Sequence, residues 1–154
     1  MPSIARCVDI AVSAEQAFEY MAEISNLTKF HTGISELHLI SDKGRGLGLQ
    51  FGCKVDVPRK GPLDCEYEVS EFIDYILIAI KSTSGPKSEG IWHFARMAGM
   101  NIKTRITYTL NYQVPVPIIG QLIDLLFVRR IWTARVEQTM QNLKDVLEKE
   151  EKAE

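Results

Sequence analysis

The sequence predicts an α+β domain in which a curved antiparallel sheet of six or seven strands wraps one long C-terminal helix, with two short helices after the first strand. Three observations carry this. Ile118–Glu150 repeats apolar residues at helical spacing. From Ile34 to Val114 the apolar period is two, broken by short turn sequences. The only other helical stretch falls between the first strand and that run of strands.

The long helix places Leu122, Leu125, Leu126, Trp132, Val136, Met140, Leu143 and Leu147 on one face. Val114-Pro115-Val116-Pro117 cannot continue it backwards, and Pro117 suits a first helical position. At about 1.5 Å per residue it runs roughly 50 Å, so it needs a broad apolar surface. Ile118 to Trp132 is apolar almost all round, whereas the remainder is one-sided. That gradient predicts deep burial of the first half and a wet back on the second.

Taken in order, Ser3–Val12 alternates as a strand, with Ile4, Val8, Ile10 and Val12 on one face and Arg6 interrupting it. Ser13 then caps a helix, and Gln16 completes a capping box. That helix carries Ala17, Phe18, Met21 and Ile24; Ser25–His31 forms a second short turn of helix, closed by Thr32-Gly33. Strands follow at Ile34–Asp42, Leu47–Val57, Leu63–Ser70, Phe72–Lys81, Glu89–Met97 and Ile102–Val114. Their short connections imply an antiparallel meander, whose apolar face the long helix alone is long enough to cover.

With 154 residues the chain fits a single domain, 1–154. An apolar share of 45% and a charged share of 25% are those of an ordinary globular protein, and a net charge of −2 argues against nucleic-acid binding. No stretch reaches the roughly 18 apolar residues of a spanning helix. The start lacks a basic, then apolar, leader, and the three cysteines form no CxxC, so reduced thiols in the cytoplasm are expected.

The order of elements, the start Val12-Ser13-Ala14-Glu15-Gln16-Ala17-Phe18, the Phe30–Gly33 region and the C-terminal run Arg135–Glu148 resemble the START/Bet v 1-like superfamily. Within it the polyketide cyclase/dehydrase (SRPBCC) group is most similar. The resemblance covers the whole chain but rests on layout and loose patterning. It implies a helix-grip fold with a cavity between sheet and helix for an apolar or amphipathic small molecule. It carries over no catalytic residue. Phe30-His31 stands where the group usually has a Trp in that region.

The cavity candidates are Phe30, His31, Tyr67, Trp92, His93, Tyr108, Leu122, Leu126, Arg129, Trp132 and Thr133. His31 falls near the expected mouth, and His38 on a strand surface. His93 shares a strand face with Ile91 and Ala95, opposite Trp92 and Phe94, and the pattern leaves open which face points inward. No histidine pair or Cys/His cluster suggests a metal, and no cofactor is expected. Gly44-Arg45-Gly46-Leu47-Gly48 precedes a strand, not a helix, which disfavours a phosphate loop. Arg129 either meets a partner or ligand anion inside or snorkels outward. Arg96 and Glu137 are candidates for internal pairing, and Cys53 and Cys65 for cross-strand neighbours, either disulfide-bonded or, as the cytoplasm favours, packed as thiols.

Two functions fit: a carrier or sensor of a hydrophobic molecule (lipid, polyketide or isoprenoid-like), or a cyclase/dehydratase-type enzyme in which a cavity Tyr, His or Arg assists proton transfer. Two titratable groups within hydrogen-bond reach inside the cavity favour the enzyme, and one isolated polar group favours the carrier. A weaker alternative makes the Val114–Trp132 segment a transient membrane-docking surface, which burial of Leu125, Phe127 and Ile131 would sink. The partner is then a small molecule and not nucleic acid, and the chain itself is a monomer or homodimer.

Overall fold

The computed structural model describes residues 2–58, 60–113 and 121–153, with side chains of the last helix over 126–150. Pro117, Ile118 and the Leu122 side chain lie outside the described residues. The elements follow as β1 (Ser3–Ile10), α1 (Ala14–Ala22), a 3-10 turn (Ile24–Asn26), α2 (Leu27–Phe30), β2 (Ile34–Leu39), β3 (Gln50–Val57), β4 (Gly61–Ile73), β5 (Leu77–Ser84), β6 (Ser88–Arg96), β7 (Thr104–Tyr112) and α3 (Gln121–Ala153). The seven strands form one antiparallel sheet in the order β1-β7-β6-β5-β4-β3-β2. The fold is START/helix-grip: a curved sheet with short helices after the first strand and a long C-terminal helix.

The first helix starts where its chemistry requires. Ser13 Oγ accepts from the Gln16 amide at 3.1 Å, and the Gln16 side chain accepts from the Ser13 amide at 3.3 Å. Ser13→Ala removes half of that reciprocal cap and should lower stability by about 1 kcal/mol, read as a lower urea midpoint at unchanged slope. Below α1, Phe18 is fully buried, with ring centroids 5.1 Å from Phe72 and 5.4 Å from both Tyr75 and Phe94.

Two boundaries differ from the sequence pattern. The turn between β4 and β5 lies at 74–76 rather than at Glu71. A register shift between Val69 and Glu71 lets β4 run on through Phe72, and Tyr75 takes the positive φ (63°) that the turn needs. The pattern puts Leu47 on the apolar face of β3, but the strand begins at Gln50 and Leu47 is exposed.

Over its described side chains, 126–150, helix α3 runs opposite to the expected burial gradient. Its later half is the anchored half: Val136, Met140, Leu143 and Leu147 are buried. Around them Lys144 Nζ donates to Asp9 O (3.1 Å), Ala11 N to Glu148 Oε1 (3.2 Å) and Asn142 Nδ2 to Phe30 O (3.2 Å). In the earlier half Leu126 is 63% and Phe127 39% exposed. The 33-residue helix is fastened along β1 and α2, and over its earlier described turns Val128 and Trp132 are only partly buried against the core. Phe127 and Ile131 are likewise not buried, and Leu125 lies outside the described side chains. Arg96 and Glu137 do pair, but on the surface, with Glu15 and Arg6.

Candidate functional site

Between the concave face of the sheet and α2–α3 lies a cavity of about 90 Å³. Its apolar walls come from Phe51 and Val55 on β3, Ile80 on β5, Leu110 on β7 and Val136 on α3. Strand alternation aims these side chains inward, so the same period that built the sheet built the cavity.

Of the residues expected to line it, His31, Tyr67, Trp92, Tyr108 and Trp132 do so. Phe30 is buried behind the wall, edge-on to Trp92 with centroids 5.8 Å apart. His93 is corrected to the outer face of β6: it is exposed, because Trp92 and Phe94 take the inward positions. Leu126 and Arg129 are also corrected to exposed positions, and Thr133 is half-buried outside the cavity wall. Among the described residues of α3, Trp132, Arg135, Val136 and Thr139 face the cavity. Their i, i+3, i+4, i+7 spacing marks one helix face, a signal that Arg135 and Thr139 belong with Trp132.

Around His31 the polar groups of α2, β7 and α3 form one cluster. His31 Nδ1 lies 3.0 Å from Thr32 O, so Nδ1 carries a proton and donates. His31 Nε2 lies 3.3 Å from Tyr108 Oη. Burial lowers the imidazole below its ordinary 6.5, and the Arg135 charge pushes the same way against the Thr32 bond. The ring is then neutral at pH 7, Nε2 is an acceptor, and the Tyr108 hydroxyl donates to it. Burial also raises the Tyr108 phenol, which keeps its proton in place.

Packing fixes this pair. Tyr108 stacks on Trp92 with centroids 4.0 Å apart and planes 14° from parallel. Gly90 lets the phenol lie flat on β6, because a Cβ there would come within 3.0 Å of Tyr108 Cε2 and 3.2 Å of Oη. Behind His31, Thr32 Oγ donates to Arg135 O (3.0 Å), and the Thr32 amide donates to Thr139 Oγ (3.1 Å). These bonds tie the end of α2 to α3. Arg135 donates to the backbone and carboxylate of Asp56, with its guanidinium 5.1 Å above the Trp132 ring. Gly33, at φ +83°, accommodates that arginine, whose Nη1 would lie 3.2 Å from an added Cβ.

Cys53 and Cys65 face each other across β3 and β4, and both are free thiols. Burial and the neighbouring Cys65 push the Cys53 thiol up to about 11, so it stays protonated and is a poor nucleophile. Burial, with Cys65 and Cys53 beside it, raises the Tyr67 phenol as well. Among the described residues no group of three or more His, Cys, Asp or Glu side chains could hold a metal, and no helix is long and apolar enough to cross a membrane.

Solved structures of low sequence identity share this architecture. TTHA0849 from Thermus thermophilus is 20% identical with a TM-score of 0.78, over 95% of this chain and 97% of that one. A START superfamily protein from Mycobacterium smegmatis is 14% identical with a TM-score of 0.62, over 96% and 95%. The di-domain ARO/CYC StfQ from the steffimycin biosynthetic pathway is 15% identical with a TM-score of 0.71, over 96% of this chain and 51% of that one. At these identities the likeness establishes the fold. No curated protein matches the chain. The family model described as polyketide cyclase / dehydrase and lipid transport matches residues 1–148, and with this cavity under this helix the chain belongs to that family.

Proposed function

We propose that the protein binds a small, largely apolar molecule between the sheet and α3 and holds it as a carrier or sensor. The observation that carries this is the cavity itself, whose walls are mainly apolar and which holds one polar cluster around His31 and Tyr108. A dry cavity of about 150 Å³ is enough for benzene. The 90 Å³ here is smaller than that, so a single ring or short chain has to spread the walls slightly, and a larger ligand has to displace them further.

The enzyme alternative has one observation in its favour, the His31–Tyr108 pair at 3.3 Å. Proton transfer through Tyr108 would end on His31, and burial together with the Arg135 charge opposes an imidazolium there. A base weakened in this way favours holding a ligand over transforming it.

Both tryptophans of the chain, Trp92 and Trp132, line the cavity, so intrinsic fluorescence reports occupancy directly. Titration with single-ring and short-chain apolar compounds should change the emission saturably. Ile80→Phe, which fills the β5 wall, should weaken that binding at least ~10-fold with a melting shift of only a few degrees. Saturable binding that ignores Ile80→Phe would place the ligand elsewhere. Product formed from the bound compound, and lost in His31→Gln, would favour the enzyme.

A further inference from the structure

We infer that the polar cluster of the cavity accepts a hydrogen bond from its ligand, so that the ligand presents a hydroxyl there (an alcohol, phenol or enol) rather than a carbonyl or carboxylate. This rests on the binding function proposed above and narrows its ligand class.

The inference comes from following each proton in that cluster. Thr32 O can only accept, which places the His31 proton on Nδ1. Nε2 is left with a lone pair, and the Tyr108 hydroxyl 3.3 Å away directs its proton onto it. The Thr32 hydroxyl donates to Arg135 O, and the Thr139 hydroxyl, 3.0 Å from Thr32 Oγ, is left to donate to Thr32. Each of these four polar hydrogens thus has an acceptor within the protein. What remains on Tyr108 Oη is lone-pair capacity, and Tyr108 lines the cavity. A ligand hydroxyl completes that oxygen. A carbonyl set against it brings two acceptors together in a dry site, which costs binding.

Other donors line the cavity too: the Tyr67 and Ser88 hydroxyls, the indole N–H groups of Trp92 and Trp132, and Arg135, which is engaged by the Asp56 carboxylate and carbonyl. A ligand carbonyl that met one of the neutral donors, or a carboxylate that paired with Arg135, would reverse the preference. The test therefore includes a carboxylate.

Five single-ring probes separate the outcomes: phenol, anisole, toluene, benzaldehyde and benzoate, titrated against the full chain at pH 7.5 by NMR shift perturbation or calorimetry. Phenol should bind about 3- to 10-fold more tightly than the other four, the worth of one neutral hydrogen bond. In Tyr108→Phe the phenol-to-toluene affinity ratio should fall to about one. Equal binding of all five, or tighter binding of benzaldehyde or benzoate, overturns the hydroxyl preference and leaves the binding function standing. Binding of none removes both. A phenol preference that survives Tyr108→Phe also overturns the assignment, because the accepting atom would lie elsewhere. The wild-type series decides the matter even where the variant folds poorly.

Discussion

Trp92→Ala should lower the unfolding free energy by about 3–5 kcal/mol, the range for deleting a buried aromatic. Trp92 is 3% exposed and belongs to both halves of the molecule's interior. One face stacks on Tyr108 at 4.0 Å, and its edge meets Phe30 at 5.8 Å. Truncation leaves a void continuous with the existing cavity, and neither strand β6 nor β7 can move in to fill it, because both are paired on both sides. A domain of this size holds about 5–15 kcal/mol in total, so this one side chain carries a large share. Trp92→Phe keeps a stacking ring against Tyr108 and should cost clearly less. Urea denaturation of the two variants checks both the size and the order. A loss below about 1.5 kcal/mol for Trp92→Ala would mean that the site collapses around the deletion. Without its stacking partner Tyr108 also loses its orientation toward His31, so the same variant should blunt any discrimination between hydroxyl and non-hydroxyl ligands.

The layout was legible because period-two and helical patterns are local properties of the chain, and the long helix declared itself through eight apolar positions on one face. Burial along that helix was not legible. Ile118–Trp132 is apolar almost all round, and composition alone does not say how much of such a segment its own sheet covers. The anchors that decide it, Asp9 O, the Ala11 amide and Phe30 O, are backbone atoms that leave no trace in side-chain patterning. His93 shows the same limit on a smaller scale. Both faces of β6 carry apolar residues, and only the pairing of Trp92 opposite Tyr108 and His93 opposite Thr107 fixes which is inner. Arg135 and Thr139 were within reach, since their helical spacing from Trp132 is plain. Arg129 and Thr133 carry the same chemistry six residues, nearly two turns, too early. The helix turns Arg129 outward, the snorkelling outcome, and brings Arg135 to the cavity instead. The His31–Tyr108 contact spans 77 positions, and nothing in the intervening sequence signals it.

Stability should also fall as pH drops below about 6.5, with His31 as the cause. Burial lowers the folded imidazole below its ordinary 6.5, and the charge of Arg135 adds to this, while the bond to Thr32 opposes it. In the unfolded chain the imidazole takes up a proton near pH 6.5, where the folded protein still refuses one. The unfolded state then binds more protons, so the contribution of His31 is complete above the unfolded value and is lost as pH falls, at up to about 1.4 kcal/mol per pH unit. The groups facing the ring are Tyr108, neutral throughout this range, Thr32, Thr139 and Arg135, the last paired to Asp56. Asp9, lowered by its bond to Arg105, acts in the same direction but near its ordinary 3.8, on an exposed pair worth little. His31→Gln retains an amide donor for Thr32 O and an acceptor for Tyr108, so it should flatten the limb between pH 6.5 and 5 and leave acid unfolding below pH 4 in place. Denaturant midpoints measured at half-unit pH steps read this directly, and a limb unchanged in the variant would move the responsible group elsewhere. The same protonation bears on the ligand. Once Nε2 carries a proton it donates to Tyr108 instead of accepting, the phenol's own hydrogen turns toward the cavity, and the preference for a hydroxyl over a carbonyl should weaken over the pH range in which stability falls.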